Sequence, residues 1–248
     1  GTSSSARLHL PRCPLTTRSR TKTPTDASEL LGSPPGGVLA GLLEESKSLG
    51  FLGPGPVAFQ VEHALALFEA LADAIGEARI DDVSILDLGA GGGVPGLVIG
   101  LMWPQARLYL LDSNHRRCEF LSRALDQLGL TGVTVLAERA ESAAHDPRHR
   151  ASMDAVVARG FGKPSVTAEC GAPFLKVGGS LVVSEPPAES GSDGRSLDRW
   201  PSTGSALLGL EPRAYRDHPF AVQTLTLVEP CPDTYPRRVG VAAKRPLF

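Results

Sequence analysis

The chain has 248 residues, 42% of them hydrophobic and 21% charged, with a formal net charge of −2. That length can bury one sizeable α/β core without disulfides or metals, and the charge balance excludes a globally basic nucleic-acid binder, so any polyanion must be met by a local patch. The four cysteines (Cys13, Cys118, Cys170, Cys231) are scattered without a C-x-x-C, and no apolar run approaches 18 residues, which argues against a metal site, a disulfide framework or a membrane span.

Residues 1–36 carry Arg7, Arg12, Arg18, Arg20 and Lys22, with no acid before Asp26. They read as a disordered basic tail. An organelle transit peptide shares that bias, and a fragment boundary is a third reading, since the chain starts at Gly1. Residues 37–78 read as a helical region: a short helix over 37–49, a break at Gly53-Pro54-Gly55-Pro56, then an amphipathic helix over 57–75. In the latter, Val57, Val61, Leu65, Phe68, Leu71 and Ile75 recur at helical spacing.

From 79 to 248 the pattern alternates. Strands are expected at 83–86, 107–111, 133–136, 155–158 and 180–184, with helices over 115–128 and after Lys163. Such alternation predicts an α/β fold with a mostly parallel, seven-stranded sheet, closed by strands near 206–216 and 222–229. Residues 185–204, rich in Pro, Ser and Gly, read as a loop. The end of the chain, from Tyr235, is basic.

The most informative segment is Asp87-Leu88-Gly89-Ala90-Gly91-Gly92-Gly93-Val94-Pro95-Gly96, between the first strand and a helix-like run. Glycines there let a ligand approach the backbone, at the carboxyl end of a strand where open α/β sheets bind ligands. Gly91–Gly96 also matches G-x-G-x-x-G, which dehydrogenases share. Asp87 favours one of the two ligand classes over the other. An acid before the first glycine does little for a pyrophosphate but suits a ligand with an amino group and a sulfonium, as in S-adenosylmethionine. Asp112, at the end of the second strand, offers two acceptor oxygens for a ribose diol. NAD would ask for the same residue, and a helix N-cap is the plainer reading.

Several stretches together resemble the bacterial 16S ribosomal RNA guanine-N7-methyltransferases, also called glucose-inhibited division protein B. The glycine loop with its Val94-Pro95-Gly96 ending is similar to D-x-G-[ST]-G-x-G-x-P-G. Leu110-Leu111-Asp112-Ser113, Arg116-Arg117 and Phe120-Leu121 resemble L-L-D-S-x-x-K-R-x-x-F-L. Ala158-Arg159-Gly160-Phe161 resembles S-R-A-F, and the stretch from Tyr235 to Leu247 resembles Y-P-R-[KR]-x-G-x-P-x-K-x-P-L. The resemblance implies a class I, Rossmann-like methyltransferase fold with N-terminal helices, using S-adenosylmethionine. It implies that Gly89 and Val94 line the cofactor, that Ala140 and Glu141 hold its adenine end, and that Arg159 sits at the methyl-donor and RNA side. The departures are specific. The family's Trp-Asn-x-x-x-Asn-Leu-Thr has no counterpart, only His63 remains of its Arg-His-x-x-Asp-Ser, and Ser184-Glu185-Pro186 stands where it has Leu-Lys-Gly.

The implied substrate is guanine N7 in 16S ribosomal RNA or the 30S particle, acted on by a cytoplasmic monomer. N7 has a lone pair and no proton to remove, so positioning and desolvation suffice and no general base is needed. Arg159 is the candidate catalytic residue, its planar fork suited to guanine O6 or a phosphate. Arg116, Arg117, Arg123 and Arg139, with Arg237, Arg238, Lys244 and Arg245, are candidates for an RNA-facing patch; ordinary solvated charge is the alternative. Three other readings compete: a small-molecule methyltransferase on the same fold, a non-catalytic RNA-binding relative, and a dehydrogenase.

Overall fold

The structure, a computed structural model, describes residue 24 and residues 26–76, 82–186 and 199–248. Residues 1–23 of the basic segment and 187–198 of the Pro/Ser/Gly-rich stretch lie outside the described residues. Seven strands form one sheet: β1 (Ser84–Leu88), β2 (Arg107–Asp112), β3 (Val133–Ala137), β4 (Met153–Ala158), β5 (Leu175–Ser184), β6 (Leu210–Arg216) and β7 (Val222–Leu227). Their order is β3-β2-β1-β4-β5-β7-β6. The first five are parallel, and β7 runs antiparallel between β5 and β6. β1 is thus interior, flanked by β2 and β4, and every one of its residues is buried. That explains why it reads as a continuous apolar run rather than an alternating one.

Successive residues of each strand feed two separate cores. Ile85, Leu108, Leu110, Ala155, Val157 and Val182 face the N-terminal helices. Leu86, Leu88, Leu111, Val156, Ala158 and Leu181 face the opposite layer. The first layer holds α1 (Ala27–Leu31), α2 (Pro34–Ser48), α3 (Val57–Ile75), α4 (Gly96–Met102) and α5 (His115–Leu128). α2 buries Leu39, Leu42, Leu43 and Ser46, the i, i+3, i+4, i+7 stripe of a core-facing helix. α3 spans the expected residues. α5 begins where Asn114 Oδ1 accepts from the Arg116 and Arg117 amides, and it stops at Gly129, whose φ is +66°. The second layer holds α6 (Ala140–Ala143), α7 (Pro164–Gly171) and α8 (Ser202–Ala206).

Two sequence expectations are corrected. The basic tail expected over 1–36 is already helical from Ala27: Asp26 caps α1, and Ser33 caps α2 by accepting from Gly36 N, with Pro34 in the first turn. The loop expected over 185–204 contains α8 and the buried Trp200.

The C-terminal segment, which includes α9 (Val241–Lys244), is strapped to the second layer. Arg150 donates to the carbonyls of Tyr235 (2.8 Å), Cys231 (3.1 Å) and Pro232 (3.1 Å). His145 Nε2 bonds to Pro236 O, and Ser165 Oγ accepts from Leu247 N. Among the described residues no helix is long and apolar enough to cross a membrane, and no cluster of His, Cys, Asp or Glu is arranged to hold a metal.

Candidate active site

The glycine loop lies at the carboxyl end of β1. Gly89, Gly91 and Gly93 all have positive φ, a backbone path that side chains disfavour. A Cβ on Gly91 would meet nothing closer than Gly89 O at 3.6 Å. Its contribution is therefore the φ of +54° and its N–H, which donates to Asp112 Oδ2 at 2.9 Å. Gly92 is held as glycine by crowding against backbone as well as side chain. A Cβ there would lie 2.5 Å from Ser46 Oγ and 2.9 Å from Phe51 O. Ser46, fully buried on α2, donates to Gly92 O at 3.0 Å. The N-terminal layer thus clamps the loop directly. Val94 is buried and packs into the first core.

Asp87 is 1% exposed. Its Oδ2 accepts from Gly96 N at 2.8 Å, and its Oδ1 is buried without a hydrogen-bond partner. Burial pushes its carboxyl up to about 7, against the pull of the Gly96 amide and of Arg159. An orphaned, buried carboxylate oxygen beside an open glycine turn is costly unless a ligand answers it. Asp112 is also buried. Its Oδ1 accepts from Asn114 N at 2.8 Å, and Arg117 Nη1 stands 3.5 Å from Oδ2. Each oxygen has taken one backbone N–H and keeps acceptor capacity for a diol. The residues present therefore fit S-adenosylmethionine: Asp87 for its cationic end, the glycine backbone for close approach, Asp112 for the ribose.

Arg159 follows β4 and is partly buried. Its Nη2 donates to Gln60 Oε1 of α3, while Nη1 is buried without a partner. Gln60 is itself held by Pro54 O through Nε2. Phe161 lies over the loop, since a Cβ on Gly89 would come within 2.6 Å of its ring. His63 turns toward the site: its Nε2 bonds to Ser184 Oγ at 2.8 Å, at the end of β5. Burial and then the charge of Arg159 lower its pKa to about 4, so the ring is neutral near pH 7. Sequence reasoning missed Gln60, Ser46 and Ser184. The only available signal was the single histidine retained from the family's Arg-His-x-x-Asp-Ser.

The remaining candidates separate. Ala140 starts α6 and is buried. Glu141 Oε1 accepts from Gly240 N at 2.9 Å, beside a cleft of about 430 Å³ between α6 and the C-terminal segment. Arg116 and Arg117 lie over the Phe51 ring, and Arg123 pairs with Glu45 at 2.8 Å, tying α5 to α2. Arg139 is exposed, as are Arg238, Lys244 and Arg245. Arg237 is the correction. Expected at RNA phosphates, its guanidinium instead closes on fully buried Glu169, with Nε at 2.8 Å from Oε1 and Nη2 at 2.6 Å from Oε2. Glu185, the acid at the family's lysine position, is also internal: Arg199 and Trp200 Nε1 (3.0 Å) both donate to it.

The sheet order, the positive-φ glycine loop and the two acids at the ends of β1 and β2 define a class I S-adenosylmethionine-dependent methyltransferase. A methyltransferase from Aquifex aeolicus shares this fold, with a TM-score of 0.51 at 15% identity over 74% of this chain and 97% of that one. So does a branched-chain polyamine synthase from Thermus thermophilus, at 0.52 and 15% over 77% and 64%. The fold alone therefore leaves the chemistry open.

Sequence relatives narrow it. The profile of the family described as rRNA small subunit methyltransferase G matches residues 65–185. A protein of that name from Rubrobacter xylanophilus is 34% identical over 66% of this chain and 64% of its own length. One from Roseiflexus castenholzii is 32% identical over 66% and 70%, and one from Streptococcus thermophilus 32% over 73% and 77%. The chain belongs to the rRNA small subunit methyltransferase G family, whose cofactor is S-adenosylmethionine.

Two results are expected at this site. Cofactor affinity should fall as pH drops through about 7, because Asp87 must lose its proton to meet a cation, and should level off above that pH. For the protein without ligand the sign is opposite: an acid whose folded pKa is raised costs stability as pH climbs from about 4 toward 7. Calorimetry at pH 6 and 8 reads the first effect, and Asp87→Asn should erase it. Asp112→Ala should weaken cofactor binding by roughly 1–3 kcal/mol. It should also loosen the loop, since Gly91 N loses its acceptor; a titration at fixed pH and a thermal melt separate the two.

Proposed function

We propose that the chain methylates N7 of a guanine in 16S ribosomal RNA, as a monomer acting in the cytoplasm on the RNA or on the 30S particle. The observation that carries this is Arg159: anchored by Gln60, beside Asp87, with Nη1 buried and unpartnered. A planar donor held at the methyl-donor end suits guanine O6 or a neighbouring phosphate. When bound, the cofactor supplies an electrophilic methyl on a sulfonium sulfur. Methylation at the N7 lone pair would release no proton, so the chain would need to position the acceptor but supply no base. Asp87 meets the cofactor's positive end, Asp112 its ribose, and Arg159 orients the acceptor, so that geometry provides the acceleration.

Glu185 does not weigh against an RNA substrate, because Arg199 balances its charge and Trp200 Nε1 donates to its other oxygen inside the protein. For the RNA-facing patch we keep Arg116, Arg238, Lys244 and Arg245, all exposed, and withdraw Arg237. The test is transfer of labelled methyl to 30S particles and to naked 16S RNA, followed by strand cleavage at N7-methylated guanines. Label and cleavage at one guanine support the reading. No transfer to either substrate overturns it.

A further inference from the structure

An aromatic cluster borders the site on the side away from the glycine loop. Phe220 comes two residues before Val222, which pairs with Ser184 where β5 ends. That places Phe220 on the same carboxyl edge of the sheet as Arg159. Its ring stacks on His63, with centroids 4.5 Å apart and planes 4° from parallel. Phe59, one helical turn before His63, meets Phe220 edge-on at 5.1 Å and is 50% exposed. Phe220 is only partly buried. His63 is pinned to Ser184 Oγ, so it supports the stack as a fixed, flat ring. The same α3 turn carries Gln60, which holds Arg159. Aromatic rings and a guanidinium fork thus converge from α3, β4, β5 and the approach to β7.

Scattered exposed apolar side chains need no explanation. Two phenylalanines in edge-to-face contact beside a charged site of this kind form a surface suited to the face of a base, which any enzyme acting on a base must draw out of its stack and hold. We propose that Phe59 and Phe220 form the surface on which the target purine of the RNA stacks, while Arg159 addresses its edge. This rests on the RNA reading above and adds the residues that would receive the base. A protein partner seated on these rings is the competing occupant.

The test compares Phe59→Ala, Phe220→Leu and Phe220→Trp in methyl transfer to 30S particles, with cofactor affinity measured alongside. Phe59 is half exposed, so its alanine variant should keep the fold, checked by thermal melting. Phe220→Leu keeps an apolar contact for His63 but removes the stacking face. Both should raise KM for the particle about tenfold and leave the cofactor Kd unchanged, and Phe220→Trp should restore KM. If Phe220 only packs, the order reverses: Leu is tolerated and the larger Trp is not. That reversal overturns the proposal. So does a KM within twofold of wild type for both truncations, as expected if a protein partner covers the rings, or a cofactor Kd that worsens in step with KM. If the wild-type protein transfers methyl to no RNA, the functional reading fails and takes this proposal with it. If the wild type transfers and the truncations change nothing, only the stacking surface is lost.

Discussion

Arg159→Ala is expected to lower kcat by about 10²–10³, the usual consequence of removing one well-placed donor from a reacting centre. A second effect should accompany it. The charge of Arg159 holds the Asp87 carboxyl down against burial, so its loss should drive that pKa further up. The pH at which cofactor affinity falls off should then move to a higher value. Arg159→Lys separates the two roles. The charge remains, so the affinity profile should stay near that of the wild type, but the planar fork is gone and kcat should stay low. Single-turnover transfer to 30S particles and calorimetry across pH 6–9 read these outcomes. A wild-type kcat in the alanine variant would remove Arg159 from the reaction.

Arg237→Ala should cost about 3–5 kcal/mol of folding stability, because it leaves the Glu169 carboxylate buried with only one backbone N–H. Arg237→Lys should recover part of this, since a point charge cannot reproduce the two-pronged contact. The adjacent Arg238 is exposed, and Arg238→Ala should change stability by no more than about 0.5 kcal/mol. Urea unfolding of the three variants is the measurement. An Arg237→Ala variant as stable as wild type would mean that the pair contributes nothing. The neighbours thus differ in what the fold asks of them: Arg237 fastens residues 231–248 to α7, and Arg238 stays exposed, where the proposed RNA patch needs it.

The central part of the fold was legible because its signals are local. β1, the glycine loop, β2 and α5 each carry their own marker: a short apolar run, glycines at turns, an acid at a strand end, Asn114 and Gly129 at the helix ends. The start of α2 was misread although Ser33-Pro34 is a helix-start signal, because Gly36-Gly37 looks like a loop. In the structure a Cβ on Gly36 would sit 1.8 Å from Leu30 O, so the glycine is there to let α1 and α2 meet. The substrate side of the site was the least legible. Ser46 finds Gly92 across 46 residues, Gln60 finds Arg159 across 99, and His63 finds Ser184 across 121. No spacing rule reaches that far. Arg237 failed for the same reason, since its partner lies 68 residues upstream inside an otherwise apolar layer.

The C-terminal strap also bears on the order in which the protein is finished during synthesis. Arg150, Glu141, Glu169 and Ser165 all lie on the side of the sheet opposite the N-terminal helices, and each takes a partner from residues 231–248. A nascent chain that has emerged only as far as β7 already holds all seven described strands and the whole glycine loop, but leaves a buried carboxylate at Glu169 and the Arg150 guanidinium with only the Ala144 carbonyl to grip. The sheet can therefore assemble before the second layer is locked, and locking waits for residues 231–248. Release of residues 231–248 from α7 would therefore expose a charge inside the second layer while leaving the sheet and its glycine loop in place.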